Sequence, residues 1–230
     1  MDVIAANLPG AGLFLLQVAA GILLADLISG VLHWWEDTYG DPKWPVIGPA
    51  IIAPNILHHS EPLAFTRSSY WRRNRIVFII AALFGLAFWA LGWINPLTVT
   101  MLIAGAHANE IHVWSHIARR KRPALVRWLQ DKHVLLTPQE HWAHHSGAFN
   151  KRYCTITNLV NPVLDKLRVF RIVEGWVEGW HRRRPRDEEM GIAPLARGRR
   201  ALSRARRFVA ALGWAIRRNL SQAGHAAMAA

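Results

Sequence analysis

The chain has 230 residues, 52% of them hydrophobic, with 28 Lys+Arg against 15 Asp+Glu for a formal charge of +13 and a mean hydropathy of +0.10. That length suits one domain, and a basic chain with long apolar runs and twelve Trp meets anionic lipid more readily than nucleic acid. The single cysteine, Cys154, excludes an internal disulfide and any cysteine-based zinc or iron–sulfur site, so a metal here needs nitrogen and oxygen ligands.

From Ala11 to Trp35 the chain is almost wholly apolar, broken by Gln17, Asp26, Ser29 and His33. About 20 residues cross a bilayer, so this stretch predicts a first membrane helix. No Lys or Arg precedes it, which argues against a secretory signal. Asp26 reads equally well as a helix-packing group or as a functional intramembrane acid. His33 and Asp37 follow at i and i+4, sharing one face at the helix exit. Tyr39 to Pro54, with several Gly and Pro, predicts a loop or re-entrant segment; the apolar stretch Val46–Leu57 overlaps its end and, were it to cross fully, would split the histidine groups across the membrane. His58-His59, Glu61-Pro62 and Thr66-Arg67 come next.

Arg72, Arg73 and Arg75 introduce a second predicted span, Ile76 to Trp93, and Asn95-Pro96 makes the turn into a third, Leu97 to about Val113. The third ends in Asn109-Glu110-Ile111-His112-Val113-Trp114-Ser115-His116, followed by Arg119, Arg120, Lys121 and Arg122. His112 and His116 stand one turn apart with Asn109 on the same stripe. His107 is about 140° away from His112 and reads as structural. The cationic clusters at 72–75 and 119–122 flank these spans on one side, while the turn at Asn95 carries no positive charge. The excess of Lys and Arg expected on the cytoplasmic side then puts His33, His58, His59, His112, His116 and everything from His133 to His145 at that face.

After Pro123 a short amphipathic helix (Leu125, Trp128, Leu129) leads to Asp131 and His133, then to Glu140-His141-Trp142-Ala143-His144-His145. Three imidazoles at i, i+3 and i+4 stand on one helical face and cannot all be protonated without mutual repulsion. Asn161-Pro162 opens another short helix, expected to turn Val163, Leu164 and Leu167 inward. Over 195–220, Leu195, Leu202, Val209, Leu212 and Ile216 share a face among many Arg, which suits a basic helix on an anionic membrane surface. His181 and His225 lie in this region and read as incidental.

Nine histidines in four groups are too many for one catalytic zinc, which takes about three protein ligands. Haem would need one or two axial histidines facing each other across a bundle. Two redox metals with four or five nitrogens each fit the count, although imidazole alone does not choose between iron, zinc, copper and nickel. The fold expected is all-α, a multi-pass membrane helical bundle with a cytoplasmic histidine-rich helical cap.

The combination of His33-Trp34 with Asp37, His58-His59-x-x-Pro62 with Thr66-Arg67, Asn109-x-Ile111-His112-x-Trp114-Ser115-His116, and Gln130-Asp131-x-His133 before His141-x-x-His144-His145 resembles the plasmanylethanolamine desaturase family. That family includes a plant chloroplast desaturase acting on phosphatidylglycerol palmitate, and the resemblance runs from about Ser29 to Phe170. It implies a membrane lipid desaturase domain, taken as 1–180, while the shift to Arg, Ala and Gly beyond Arg182 marks 181–230 as a basic amphipathic tail with no counterpart in the resemblance. It also implies two iron ions, molecular oxygen as co-substrate, and an external electron donor of the cytochrome b5 or ferredoxin kind. The iron ligands implied are His33, His58, His59, His112, His116, His133, His141, His144 and His145, with Asp37, Asn109 and Asp131 close to the chemistry. Arg67, Arg72 and Arg73 are candidates to hold a phospholipid phosphate, and equally candidates for a purely topological role. The reaction implied is a double bond near the headgroup end of a lipid chain, first of all alkyl ether to vinyl ether. An acyl-chain desaturase, a lipid hydroxylase and a non-enzymatic metal-binding membrane protein stand as alternatives, and no nucleic-acid partner is expected.

Overall fold

The structure, a computed structural model, describes residues 2–146 and 149–177; the tail with its expected basic helix, His181 and His225 lies outside the described residues. Among the described residues ten α-helices follow one another: α1 Asp2–Tyr39, α2 Ala53–Ser60, α3 Pro62–Thr66, α4 Tyr70–Ala90, α5 Pro96–Ala106, α6 Ala108–His116, α7 Ala124–Asp131, α8 Pro138–His145, α9 Val160–Leu167 and α10 Val169–Val177. Among the described residues there is no strand, only an isolated bridge between Leu135 and Thr157. Residues up to Leu167 form one compact unit, and α10 belongs to a second.

Among the described residues two helical stretches are long and apolar enough to cross a membrane, Gly10–Tyr39 and Tyr70–Ala90. Leu13, Phe14, Leu15 and Leu16 on α1, and Ile79, Leu83, Phe84, Leu86 and Trp89 on α4, stand exposed. Apolar side chains turned outward along whole helices are those of a chain that associates with a membrane, since water would penalise such a face.

The expected third span is divided. Helix α5 starts well: Asn95 Oδ1 accepts from the N–H groups of Leu97 (3.0 Å) and Thr98 (3.1 Å), Thr98 Oγ1 accepts from the Asn95 N–H, and Pro96 occupies the first turn. It stops after eleven residues, about 16 Å of rise against about 30 Å of hydrocarbon. His107 ends it: the ring Nδ1 donates to the Ile103 carbonyl at 2.8 Å, the acceptor that a continuing helix would give to the His107 backbone N–H. That N–H turns to Ala104 instead, and α6 begins at Ala108. The Val46–Leu57 stretch does not cross either. A five-residue π turn, Gly48–Ile52, runs into the eight residues of α2, well short of a span.

Helix α5 lies along α1, where a Cβ on Gly21 would meet the Leu97 carbonyl oxygen at 2.5 Å. Ala25, Ala108, Ile111 and Ile156 form the buried centre between α1, α6 and the segment before α9. Asp26 proves to be a packing group: its Oδ1 accepts from the Ile156 N–H (2.8 Å) and its Oδ2 from the Thr157 hydroxyl (2.5 Å). Ser29 Oγ accepts from the Thr155 N–H at 3.1 Å. Residues 151–158 are thus strapped to α1. Helix α9 departs from expectation, since Val163 and Leu167 are exposed and Asn161 is buried; the Asn161 amide bonds to the Cys154 backbone and sets the inward face.

Candidate metal centre

Eight histidines and one aspartate converge as two adjoining sets of donor atoms. His58, His112, His116, His141 and His145 form one, and His33, Asp37, His59 and His144 the other; within each, the donor atoms lie within 4.8 Å of one another. Helix α1 supplies His33 and Asp37 from the same face, α6 supplies His112 and His116, and α2 and α8 each contribute to both sets through adjacent histidines. Helix α8 is placed by Thr137, whose Oγ1 accepts from the Glu140 N–H at 3.3 Å, with Pro138 next in the chain. The Val46–Leu57 stretch therefore does not separate the histidine groups.

In the five-histidine set the Nε2 atoms form a chain: His116 to His112 at 3.2 Å, His112 to His141 at 2.7 Å, His141 to His145 at 2.9 Å, and His145 to His58 at 3.0 Å. A neutral imidazole nitrogen carries either one proton or one lone pair. Whichever alternation is chosen along this chain, at least one N–H must be split between two acceptors. A cation facing five lone pairs satisfies all of them at once. The spacing bears on its kind: four tetrahedral ligands at about 2.05 Å are about 3.3 Å apart, whereas ligands at right angles are about 2.9 Å apart. The observed contacts and the donor count suit a coordination number above four.

The fit of the second set rests on tautomers. Nδ1 of His33 lies 3.0 Å from the Tyr153 carbonyl oxygen and Nδ1 of His144 lies 2.8 Å from that of Lys151, so both rings donate from Nδ1. When neutral, each turns a lone pair on Nε2 toward Asp37 Oδ2, at 3.6 and 3.3 Å. Both Nε2 atoms are buried without a hydrogen-bond partner. Lone pairs facing a carboxylate require a cation between them or a proton on the ring. Asp37 Oδ1 is held by Asn55 Nδ2 (2.8 Å) and His59 Nε2 (2.9 Å).

Burial keeps the rings of His58, His116, His141 and His145 neutral. It pushes His58 and His141 far below the ordinary histidine value and takes His116 down to about 4 and His145 to about 2, neighbouring imidazoles adding to each shift. Neutral imidazole is the form that binds metal.

Other expected site residues sit elsewhere. His133 belongs to neither set; it is exposed, and its Nδ1 is 3.4 Å from Asn158 Nδ2. Asn109 Nδ2 donates to the Arg73 carbonyl at 2.8 Å, and Asp131 pairs with Arg119 at 2.6 Å, so these bonds are made to other groups than the donor rings. Asp37, expected beside the histidines, is itself a donor. Arg73 is engaged by Glu110 at 2.5 Å and by the Ser68 carbonyl, while Arg67 and Arg72 are exposed. His107 lies outside both sets, at its helix end. Asn55 was overlooked, although its place four residues before His59 on one helix would have pointed to it. The carbonyls of Lys151 and Tyr153 leave no trace in the sequence.

The lipid desaturase domain family matches residues 22–188. Plasmanylethanolamine desaturase 1 of Mus musculus is 32% identical over 191 residues, 77% of this chain and 70% of its own length. The plasmanylethanolamine desaturase of Myxococcus xanthus is 32% identical over 189 residues, 79% of this chain and 66% of its own. The chloroplast fatty acid desaturase 4 of Arabidopsis thaliana is 34% identical over 159 residues, 67% of this chain and 49% of its own. No solved structure matches. Because residues 22–188 take in every donor of both sets, the chain belongs to the lipid desaturase family and is an enzyme of the oxidoreductase class.

Proposed function

We propose that this enzyme is an oxygen-dependent di-iron desaturase that introduces a double bond near the headgroup end of a membrane phospholipid chain, converting an alkyl ether to a vinyl ether. The observation that carries the reading is the pair of adjoining buried donor sets, one of five imidazoles and one of three imidazoles and a carboxylate. His58, His112, His116, His141 and His145 would hold one iron, and His33, Asp37, His59 and His144 the other. Loaded with iron, and given oxygen, two protons and two electrons from a cytochrome b5-like or ferredoxin donor, the centre would supply an oxidant able to take two hydrogens from adjacent carbons, leaving a double bond and two waters.

The protein's part is to bind and to exclude water. Phe65 lies 5.3 Å from His58 and 5.2 Å from His112, and Phe149 lies 4.6 Å from His59, centroid to centroid. Such rings offer an alkyl chain an apolar wall beside each donor set. His33 and Asp37 lie in the last turns of α1, and α6, which carries His112 and His116, is bonded to the start of α4 through Arg73, so a lipid with its headgroup at the interface would present its first carbons to the donors. Exposed Arg67 and Arg72 would hold the phosphate by charge-assisted hydrogen bonds, and Arg73, already bound to Glu110, would hold the helices. The centre would face the cytoplasm, because Arg72, Arg73, Arg75 and the 119–122 cluster flank the apolar segments at the ends that carry the donors in sequence.

The full chain, expressed in a host supplied with alkyl ether lipids, is expected to yield acid-labile vinyl ethers by mass spectrometry. A new double bond only in acyl chains overturns the ether assignment, and a retained hydroxyl overturns the desaturation.

A further inference from the structure

Both His33 and His144 take their orientation from the strap at residues 151–158, whose backbone is held largely by side chains. Asn161 acts where His33 is concerned. Its Oδ1 accepts from the Cys154 N–H at 2.9 Å and its Nδ2 donates to the Cys154 carbonyl at 2.8 Å, with both residues buried. A neighbouring strand would satisfy Cys154 in the same way.

The Cys154 N–H and the Tyr153 carbonyl belong to one peptide unit. That unit is planar and trans, so its N–H and C=O point in opposite directions. Fixing the N–H on Asn161 therefore aims the carbonyl at His33, and a bond on the N–H side polarises the carbonyl into a stronger acceptor. The ring keeps its proton on Nδ1, and Nε2 faces Asp37 with a lone pair.

We infer that Asn161 is a positioning residue for the His33–Asp37–His59–His144 metal site, setting the tautomer and direction of His33 through the Tyr153–Cys154 peptide. Among the described residues no hydrogen bond of Asn161 reaches the five-histidine set, so its influence falls on one metal site only. The inference rests on the two-metal reading above.

The test is a titration of the metal-free full-length chain in detergent with cobalt(II), followed by calorimetry and by the visible spectrum. The wild type should take up two ions. Asn161→Ala should bind one as tightly as before and the other about 10–100-fold more weakly, the usual effect of losing a group that orients a ligand. Should that variant not fold, Asn161→Gln keeps the amide but displaces it by a methylene, and should show the same one-sided loss. Asn74→Ala removes another buried amide, which bonds the Tyr70 carbonyl at 2.8 Å, and should leave both affinities in place. Equal weakening of both sites by the Asn161 variants, or no weakening in a chain that binds two ions, overturns the role of Asn161. A wild type that takes up fewer than two ions overturns the two-metal reading instead.

Discussion

Gly30 is the point at which the strap meets α1, and Gly30→Ala tests how much depends on that contact. A Cβ there would lie 2.4 Å from Cys154 Sγ, 3.2 Å from its N and 3.3 Å from its Cα. Non-bonded heavy atoms settle near 3.5–4.0 Å, so the first contact falls more than about 1 Å short. Helix α1 cannot yield, because Asp26 one turn earlier and the adjacent Ser29 both bind the strap, and Asn161 also holds Cys154. Overpacking of this kind costs about 1–3 kcal/mol, and with both sides held we expect the upper end, about 3 kcal/mol. For a chain of this size that lowers Tm by about 6–12 °C. Thermal unfolding of the metal-free protein in detergent, followed by the fluorescence of its twelve Trp, reads the shift. Cys154→Ala removes the Sγ, so the double variant should recover most of the loss, with a coupling of about 2 kcal/mol. A Gly30→Ala protein within about 0.5 kcal/mol of wild type, or a double variant showing no coupling, would refute the close approach and the strap built on it.

Further outcomes follow from the site. His141→Ala removes a nitrogen from the middle of the Nε2 chain and should abolish activity, while His107→Ala and His133→Ala should retain it; equal loss in a product assay would mean the donor sets are not the site. Asp37→Asn should reduce bound iron from two equivalents to about one by elemental analysis, whereas an active wild-type preparation holding one zinc and no iron would overturn the centre itself. Acid should destabilise the metal-free protein. His116 and His145 titrate at about 4 and about 2 when folded against an ordinary 6.5, so below pH 6.5 the unfolded chain binds more protons and stability falls, by up to about 1.4 kcal/mol per pH unit for each group, while above it both forms are neutral and stability is flat. Denaturation at pH 5 and pH 8 checks the sign. Membrane-impermeant reagent should label a cysteine at Asn95 from outside intact cells and not one at Ser146; the reverse would invert the orientation.

Much of the centre was legible because helices write spacing into sequence. His112 and His116 at i, i+4, and His141, His144 and His145 at i, i+3, i+4, could share a face only if helical, and they do. The break at His107 was not legible, since a histidine bonding its own i−4 carbonyl looks in sequence like any residue of an apolar run. The partition into two sets was hidden too, because spacing says which side chains share a face but not which face meets which. Asp26, Asn55 and Asn161 act on backbone or side chains that only the folded chain brings to them. Val163 and Leu167 misled for a related reason: apolar spacing marks a face without saying whether it meets protein or lipid.

The adjacent histidines carry a consequence for tuning the enzyme. His58 and His59, and likewise His144 and His145, send one ring to each donor set, so α2 and α8 act as yokes between them. Neighbouring Cα atoms are about 3.8 Å apart whatever else the protein does. The distance between the two sets is therefore gauged by covalent chain geometry at two independent places, and no slide of one helix can change it alone. Helices α1 and α6 each serve a single set and are the handles by which one donor set could be altered without the other. A residue inserted between His144 and His145 would instead break the link that α8 makes between the two sets.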